Sequence, residues 1–337
     1  MESQNPYRQP PGEFVRSMLR RSRKNDYRSK RIYLITLNKS AKIEALSRII
    51  GNSVDDARVE ITEAGHIFLE ALKQILDRNR MLSVLNLTVM PDHVHVLLRV
   101  NEYMEQPLGF YIRHLKTACT IGYREYLIGK GLYTEGESLP FFEKGFHDRI
   151  CSAEGQRQRM YEYVRDNPRR RWVIMQNHDF FTRLRRIEMD GKPIAAYGNL
   201  FLLDEPEISV VRFSRRFSEA EFAAMRETWM GIAKNGGVLV SPFIHQEERK
   251  IREEAVALGA KIIHVRPNGF REKHKPMGRD FDLCAEGRLL EIAPAEWRKE
   301  WETGSRRLFM NMNGLAERLA DYAHRHGGLR QLFAPRR

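Results

Sequence analysis

Cysteine is scarce in this chain. Its 337 residues hold three, Cys119, Cys151 and Cys284. The number is odd and the spacings are wide, which excludes both a disulfide framework and a cysteine-based zinc ribbon. A reducing compartment fits, and a cytoplasmic location is expected. Long apolar runs are missing too. None approaches the ~18 residues a membrane span needs, and the mean hydropathy is −0.54, so no membrane association is expected. The N-terminus opens polar, turns basic and lacks the apolar core of a signal peptide. Phosphate-cradling loops are also absent: neither G-x-G-x-x-G nor G-x-x-x-x-G-K-[ST] occurs. Acidic residues are in deficit, 44 against 57 basic ones, for a net charge of +13.

That surplus is unevenly spread. Residues 1–40 hold 10 Lys/Arg and 3 Asp/Glu, residues 41–190 hold 22 and 21, and residues 191–337 hold 25 and 20. A basic arm over residues 1–27, carrying Arg23 and Lys24 and leading into Arg28, suits contact with a nucleic-acid phosphate backbone. It equally suits a solubilising flexible tail. Tyr27 and Tyr33 fit either base stacking or anchoring of the arm.

The length favours two domains. In the first, expected over residues 28–186, Arg31–Asn38 reads as a strand rich in β-branched and aromatic residues. Glu63–Asp77 repeats apolar residues at i, i+3 and i+4, the mark of an amphipathic helix. Met81–Val89 and His93–Val100 are strands joined by Met90-Pro91-Asp92, too close for a parallel crossover, so they must form a hairpin. A long helix is expected over Pro107–Ile128. Another is expected to start at Ser152 as N-cap and stop at Pro168. An antiparallel sheet with packed helices, an α+β fold, follows.

Within the hairpin, His93 and His95 flank Val94. Residues i and i+2 of a strand point to one face. The pair therefore suits two ligands of one divalent metal, or two partly buried strand histidines. On the helix before Pro168, Tyr163 and Asn167 lie one turn apart on one face, beside Met160 and Val164, which would seat the helix. A carboxamide oxygen suits a hard ion such as Mg²⁺ or Mn²⁺. Alone, each residue reads as well as packing or helix termination.

Three segments in order carry a resemblance. Pro91-Asp-His-Val-His-Val-Leu-Leu98 resembles the histidine–hydrophobic–histidine motif of the HUH endonucleases. Gly145-Phe-His-Asp-Arg-Ile150 and Tyr163-Val-Arg-Asp-Asn-Pro168 resemble the matching segments of the REP-associated tyrosine transposases, relatives of insertion-sequence transposases. The likeness covers about residues 28–175 and implies an HUH, ferredoxin-like domain. It implies that His93, His95 and Asn167 hold a divalent metal, Mg²⁺ or Mn²⁺, and that Tyr163 is the nucleophile. It further implies cleavage of single-stranded or hairpin DNA through a 5′-phosphotyrosine, rejoining of strands in DNA transposition, and a homodimer as a possible assembly. Relatives often continue with a Val-x-x-Gly-like segment where this chain has Arg169-Arg-Arg-Trp172, a departure that touches packing or DNA contact. Asp92 and His147 are candidates for orienting a ligand or moving a proton, and Arg113, Lys116 and Arg149 for phosphate contact. Solvated surface is the competing reading for those three.

After an expected linker at 187–195, which contains Gly191 and Pro193, the pattern changes. Strands at 208–213, 236–242, 261–265 and 287–292 alternate with helices at 218–233, 245–258 and 307–324. This rhythm implies an α/β, Rossmann-like domain over 196–337 with a parallel sheet. It weakly resembles the nucleotide-binding fold of DNA-processing protein A. A ligand of such a sheet is expected at its carboxyl end, near Ser241, Glu247, Pro267, Asn268 and the Glu286-Gly287-Arg288 turn. A domesticated DNA-binding regulator without transposition, and a nucleotide-directed C-terminal domain, are the competing functions.

Overall fold

The computed structural model describes residues 25–297, except 190, 215 and 273, and residues 306–329. Arg23, Lys24 and most of the expected basic arm lie outside the described residues. Two compact units divide between Val173 and Ile174.

The first unit is built on a four-stranded antiparallel sheet in the order β4-β5-β1-β6. Its strands are β1 (Arg31–Asn38), β4 (Leu82–Val89), β5 (His93–Val100) and β6 (His147–Ile150). A separate hairpin pairs β2 (Ser47–Ile50) with β3 (Arg58–Ile61). The helices are α1 (Glu63–Arg78), α2 (Leu108–Gly129) and α3 (Gln156–Gln176). Alternation along β1 and β5 divides the sheet's two faces. Tyr33, Ile35, Leu37, Val94, Val96 and Leu98 meet α1 and α2 in the main core. Leu34 and Leu97 point the other way and meet Met160 and Val164 of α3. Burying those last two side chains stabilises the α3 face by roughly 1.5–3 kcal/mol each.

Two expectations for this unit fail. Ser152 does not cap α3; Gln156 opens the helix, its Oε1 accepting from the Ser152 and Ala153 backbone N–H groups. Pro168 does not stop α3 but lies inside it. Tertiary attachment beyond the proline holds the helix on, because Val173 is buried and Trp172 Nε1 donates to the Gly51 carbonyl at 3.1 Å. Of the two readings of Tyr27 and Tyr33, the packed one holds. Both are buried and stack on each other with ring centroids 5.6 Å apart.

The second unit holds a mixed six-stranded sheet in the order β7-β8-β12-β11-β10-β9. Its strands are β7 (Thr182–Met189), β8 (Lys192–Gly198), β9 (Ile208–Val210), β10 (Val238–Ser241), β11 (Lys261–Val265) and β12 (Leu289–Pro294). The four strands β9 to β12 are parallel, as the alternating rhythm implies. The expected linker is instead the heart of the antiparallel β7–β8 hairpin at the sheet's edge. Gly191 (φ +70°) serves the hairpin's turn, a left-handed conformation that glycine adopts without strain. The helices are α4 (Glu219–Lys234), α5 (Gln246–Ala257), α6 (Arg279–Ala285) and α7 (Arg306–His326). Ser218 and Glu221 form the capping box at α4 that the sequence signals. One core cluster gathers against α7, with Leu315, Leu319 and Ile263. Another gathers against α4 and α5, with Trp229, Ile251 and Ile262.

Candidate functional site

β5 presents His93 and His95 on the sheet face that α3 covers. Register fixes their neighbours on β1: His93 stands opposite Asn38 and His95 opposite Thr36. Directly opposed strand residues share a face, so Thr36 reaches the second histidine. Thr36 Oγ1 lies 2.9 Å from His95 Nδ1. The turn residue Asp92 places its Oδ1 2.7 Å from His93 Nδ1. Each histidine thus has a partner on its Nδ1 side, and the two Nε2 atoms face each other at 3.1 Å.

α3 brings Tyr163 to the pair. Its hydroxyl lies 3.4 Å from His95 Nε2, with ring centroids 5.2 Å apart. Asn167 follows one turn later, where its Nδ2 donates to the Tyr163 carbonyl at 2.6 Å. Its Oδ1 has no protein partner among the described residues. Asn167 thus shares the Tyr163 face of α3 and has no hydrogen bond to either histidine.

The electrostatics sort these groups. His95 is only 6% exposed. Burial, with His93 close by as the second cause, lowers its pKa to about 3 against a weaker opposing pull from Asp92. It is neutral at physiological pH, the form that can ligate a metal. Asp92 is held at about 2, chiefly by the hydrogen bond from His93. It is therefore an anion that fixes the His93 ring.

Other expected residues scatter. His147 stands opposite Thr36 on β6. That puts it on the site face, two strands from His95, roughly 10 Å between backbones at ordinary strand spacing. Arg149 pairs with Leu34 and is exposed on that same face. Arg113 and Lys116 ride on α2, behind the sheet. Lys116 Nζ is spent on loop carbonyls, donating to Glu143 O and, at 3.0 Å, to Gly145 O, which makes it a tether. Arg28 pairs locally with Asp26 and sits over the Tyr103 ring. Beside the histidines lies a cleft of about 170 Å³ whose walls include Thr36, Asn38 and His147. Thr36 escapes sequence reasoning because threonine is an ordinary strand residue; its one signal is a hydroxyl among apolar neighbours in Tyr33-Leu-Ile-Thr-Leu37.

No family model matches the chain, and no curated protein matches it. Solved structures show distant likenesses. One is a REP-associated tyrosine transposase bound to a REP hairpin: 15% identity, TM-score 0.31, 44% of this chain and 73% of that one. Another is described as a putative transposase from Deinococcus radiodurans: 18% identity, TM-score 0.27, 41% of this chain and 90% of that one. A third is the single-stranded-DNA-binding DNA processing protein A from Helicobacter pylori: 19% identity, TM-score 0.30, 42% of this chain and 68% of that one. These likenesses are too remote to bear on chemistry, which rests on the residues themselves.

Proposed function

We propose that the first unit is a metal-dependent single-strand DNA transferase that cleaves and rejoins DNA through Tyr163. The observation that carries this reading is the convergence of His93, His95 and the Tyr163 hydroxyl on one sheet face.

The donor set fits a divalent ion. Two imidazole nitrogens sharing one ion at about 2.1 Å stand roughly 3.0–3.4 Å apart; here they stand 3.1 Å apart. Ionised Asp92 accepts from His93 Nδ1–H, which leaves the His93 Nε2 lone pair facing inward. Thr36 supplies the matching device for His95. Its hydroxyl rotates to accept from Nδ1–H when Nε2 must ligate, or to donate when Nε2 carries the proton. Asn167 would offer Oδ1 as a third, oxygen ligand. A bound Mg²⁺ or Mn²⁺ supplies charge neutralisation at a phosphate's oxygens.

The chain's own residues do the rest. Met160 and Val164 seat α3 so that Tyr163 is held beside the histidines. Its hydroxyl oxygen attacks phosphorus in line, and its proton leaves to water. The P–O3′ bond breaks, giving a 5′-phosphotyrosine and a free 3′-hydroxyl. Attack by another 3′-hydroxyl reverses the step and joins strands, so no external energy source is required. Arg149, exposed on the same face, would meet the incoming phosphate backbone.

The test is incubation of the full chain with labelled single-stranded hairpin DNA and Mn²⁺ or Mg²⁺. A denaturation-resistant protein–DNA adduct is expected. It should vanish in Tyr163→Phe and fall at least tenfold in His95→Ala. An undiminished adduct from Tyr163→Phe would defeat the assignment.

A further inference from the structure

The second unit contains a polar row across its sheet. Across the parallel strands, Ser241 of β10 stands beside His264 of β11, and His264 beside Glu291 of β12. All three therefore point to one face, in strands whose other residues, Lys261 and Pro294 apart, are valine, isoleucine, leucine and alanine. Ser241 and Glu291 are buried, Glu291 being only 1% exposed. An isolated carboxylate at that depth is costly unless paired or bound to a metal. α6 brings a second carboxylate, Asp280, to the same place. A ring nitrogen of His264 and one oxygen each of Asp280 and Glu291 lie within 4.8 Å of one another.

The histidine is what makes this more than an ion-pair network. Asp280 is held by Arg252, and Glu291 by Arg266 at 3.4 Å and by His274 Nε2 at 2.6 Å. His264 bonds to neither carboxylate. Its Nδ1 is sealed from solvent with no hydrogen-bond partner among the described residues. Native structures rarely leave such an atom unsatisfied, and an ion is one of the things that answers it. Backbone strain marks the neighbourhood as well. Phe243, just past β10, has φ +48°, and its ring packs against His264 with centroids 5.7 Å apart. Positive φ in an aromatic residue is costly and clusters at ligand sites. Asn268, in the loop after β11, also has a buried Oδ1 without a partner among the described residues. All of this lies toward the carboxyl end of the parallel strands, where ligands of such sheets bind.

We propose that His264, Asp280 and Glu291 bind a divalent first-row transition-metal ion. One imidazole and two carboxylates are a borderline donor set that suits Zn²⁺ or Mn²⁺ better than Mg²⁺ or Ca²⁺. Three donors sharing such an ion at about 2.1 Å stand about 3.4–3.6 Å apart. The three atoms here lie within 4.8 Å of one another, so binding draws them inward by up to about 1.4 Å, within the reach of side-chain rotation. Arg252 and Arg266 neutralise the carboxylates while no ion is bound, and binding exchanges a guanidinium contact for the ion. The Glu286-Gly287-Arg288 turn takes no part. It precedes β12 and so lies at the opposite, amino end of the strands, contrary to the sequence expectation.

This site is independent of the histidine pair on β5, and the test separates them. The full chain carrying His93→Ala and His95→Ala is equilibrated with Zn²⁺ alone, desalted and assayed for bound metal. One tightly held Zn²⁺ per chain is expected. Adding His264→Phe, which fills the space without a ligand, or Asp280→Asn should weaken binding at least tenfold. In the otherwise unaltered chain, either substitution should lower the Zn²⁺ count by one, which guards against misfolding of the double variant. No bound Zn²⁺ in the double variant, with no change of count in the unaltered chain, overturns the proposal. So does binding that ignores both His264→Phe and Asp280→Asn. Loss of DNA cleavage is not a readout here, so failure of the tyrosine mechanism leaves this test intact.

Discussion

His95 is neutral because it is buried, and this gives the metal-free chain a defined acid sensitivity. Its folded pKa, about 3, lies below the unfolded value near 6.5. The unfolded chain therefore takes up a proton first. The stabilisation is complete above pH 6.5 and is lost as pH falls toward 3, at up to about 1.4 kcal/mol per pH unit. Urea unfolding across that window, in chelator, should show His95→Gln with a flatter profile than the parent chain. Asp92 has a different part. Asp92→Asn removes the anion that fixes the His93 ring, and metal affinity should fall about 10–100-fold by calorimetric titration, the usual cost of losing such a partner. The histidines and Tyr163 were legible because period-2 and period-3.6 spacing, joined to the ordered motifs, put them on definite faces. Thr36 was not, because its role depends on β1 pairing with β5 at a register the local sequence does not state. Tyr27 and Tyr33 stayed open between two readings, since an aromatic near basic residues looks the same whether it packs or stacks on a base.

Among the elements, α3 is where local rules and tertiary structure disagree most. Pro168 has no N–H to give Val164 O, and a proline inside a helix costs about 3 kcal/mol. The helix persists because Trp172 and Val173 anchor its far side. Pro168→Ala should therefore stabilise the chain by about 1–3 kcal/mol in denaturant titration, whereas Trp172→Phe should cost about 1 kcal/mol through the lost bond to Gly51 O. The β7–β8 hairpin taught the opposite lesson. Thr182-Arg-Leu-Arg-Arg-Ile-Glu-Met189 looks too charged for a strand, and Gly191 and Pro193 look like linker punctuation. Charge is what an edge strand carries to discourage further pairing, and β7 is an edge. Strands β1, β5 and β11 were readable to the residue because they are central and apolar, so packing and propensity agree.

At the scale of the whole molecule, two units with separate cores share one chain. Leu319 is fully buried in the second unit. Leu319→Ala should lower that unit's unfolding transition by about 2–5 kcal/mol in scanning calorimetry and leave the first unit's transition in place. The division into an antiparallel α+β unit and a strand–helix alternating unit was visible in the periodicity. The row of Ser241, His264 and Glu291 was not, because only strand order aligns three residues so far apart in sequence. No helix among the described residues is long and apolar enough to cross a membrane. The central claim is that the Tyr163 hydroxyl is the nucleophile that bonds to the DNA phosphate. The direct measurement is peptide mass spectrometry of the covalent adduct formed with single-stranded hairpin DNA and Mn²⁺. The account predicts a nucleotide joined through its 5′-phosphate to Tyr163. An adduct on the exposed neighbour Tyr161, or no adduct at all from the metal-loaded chain, would contradict it.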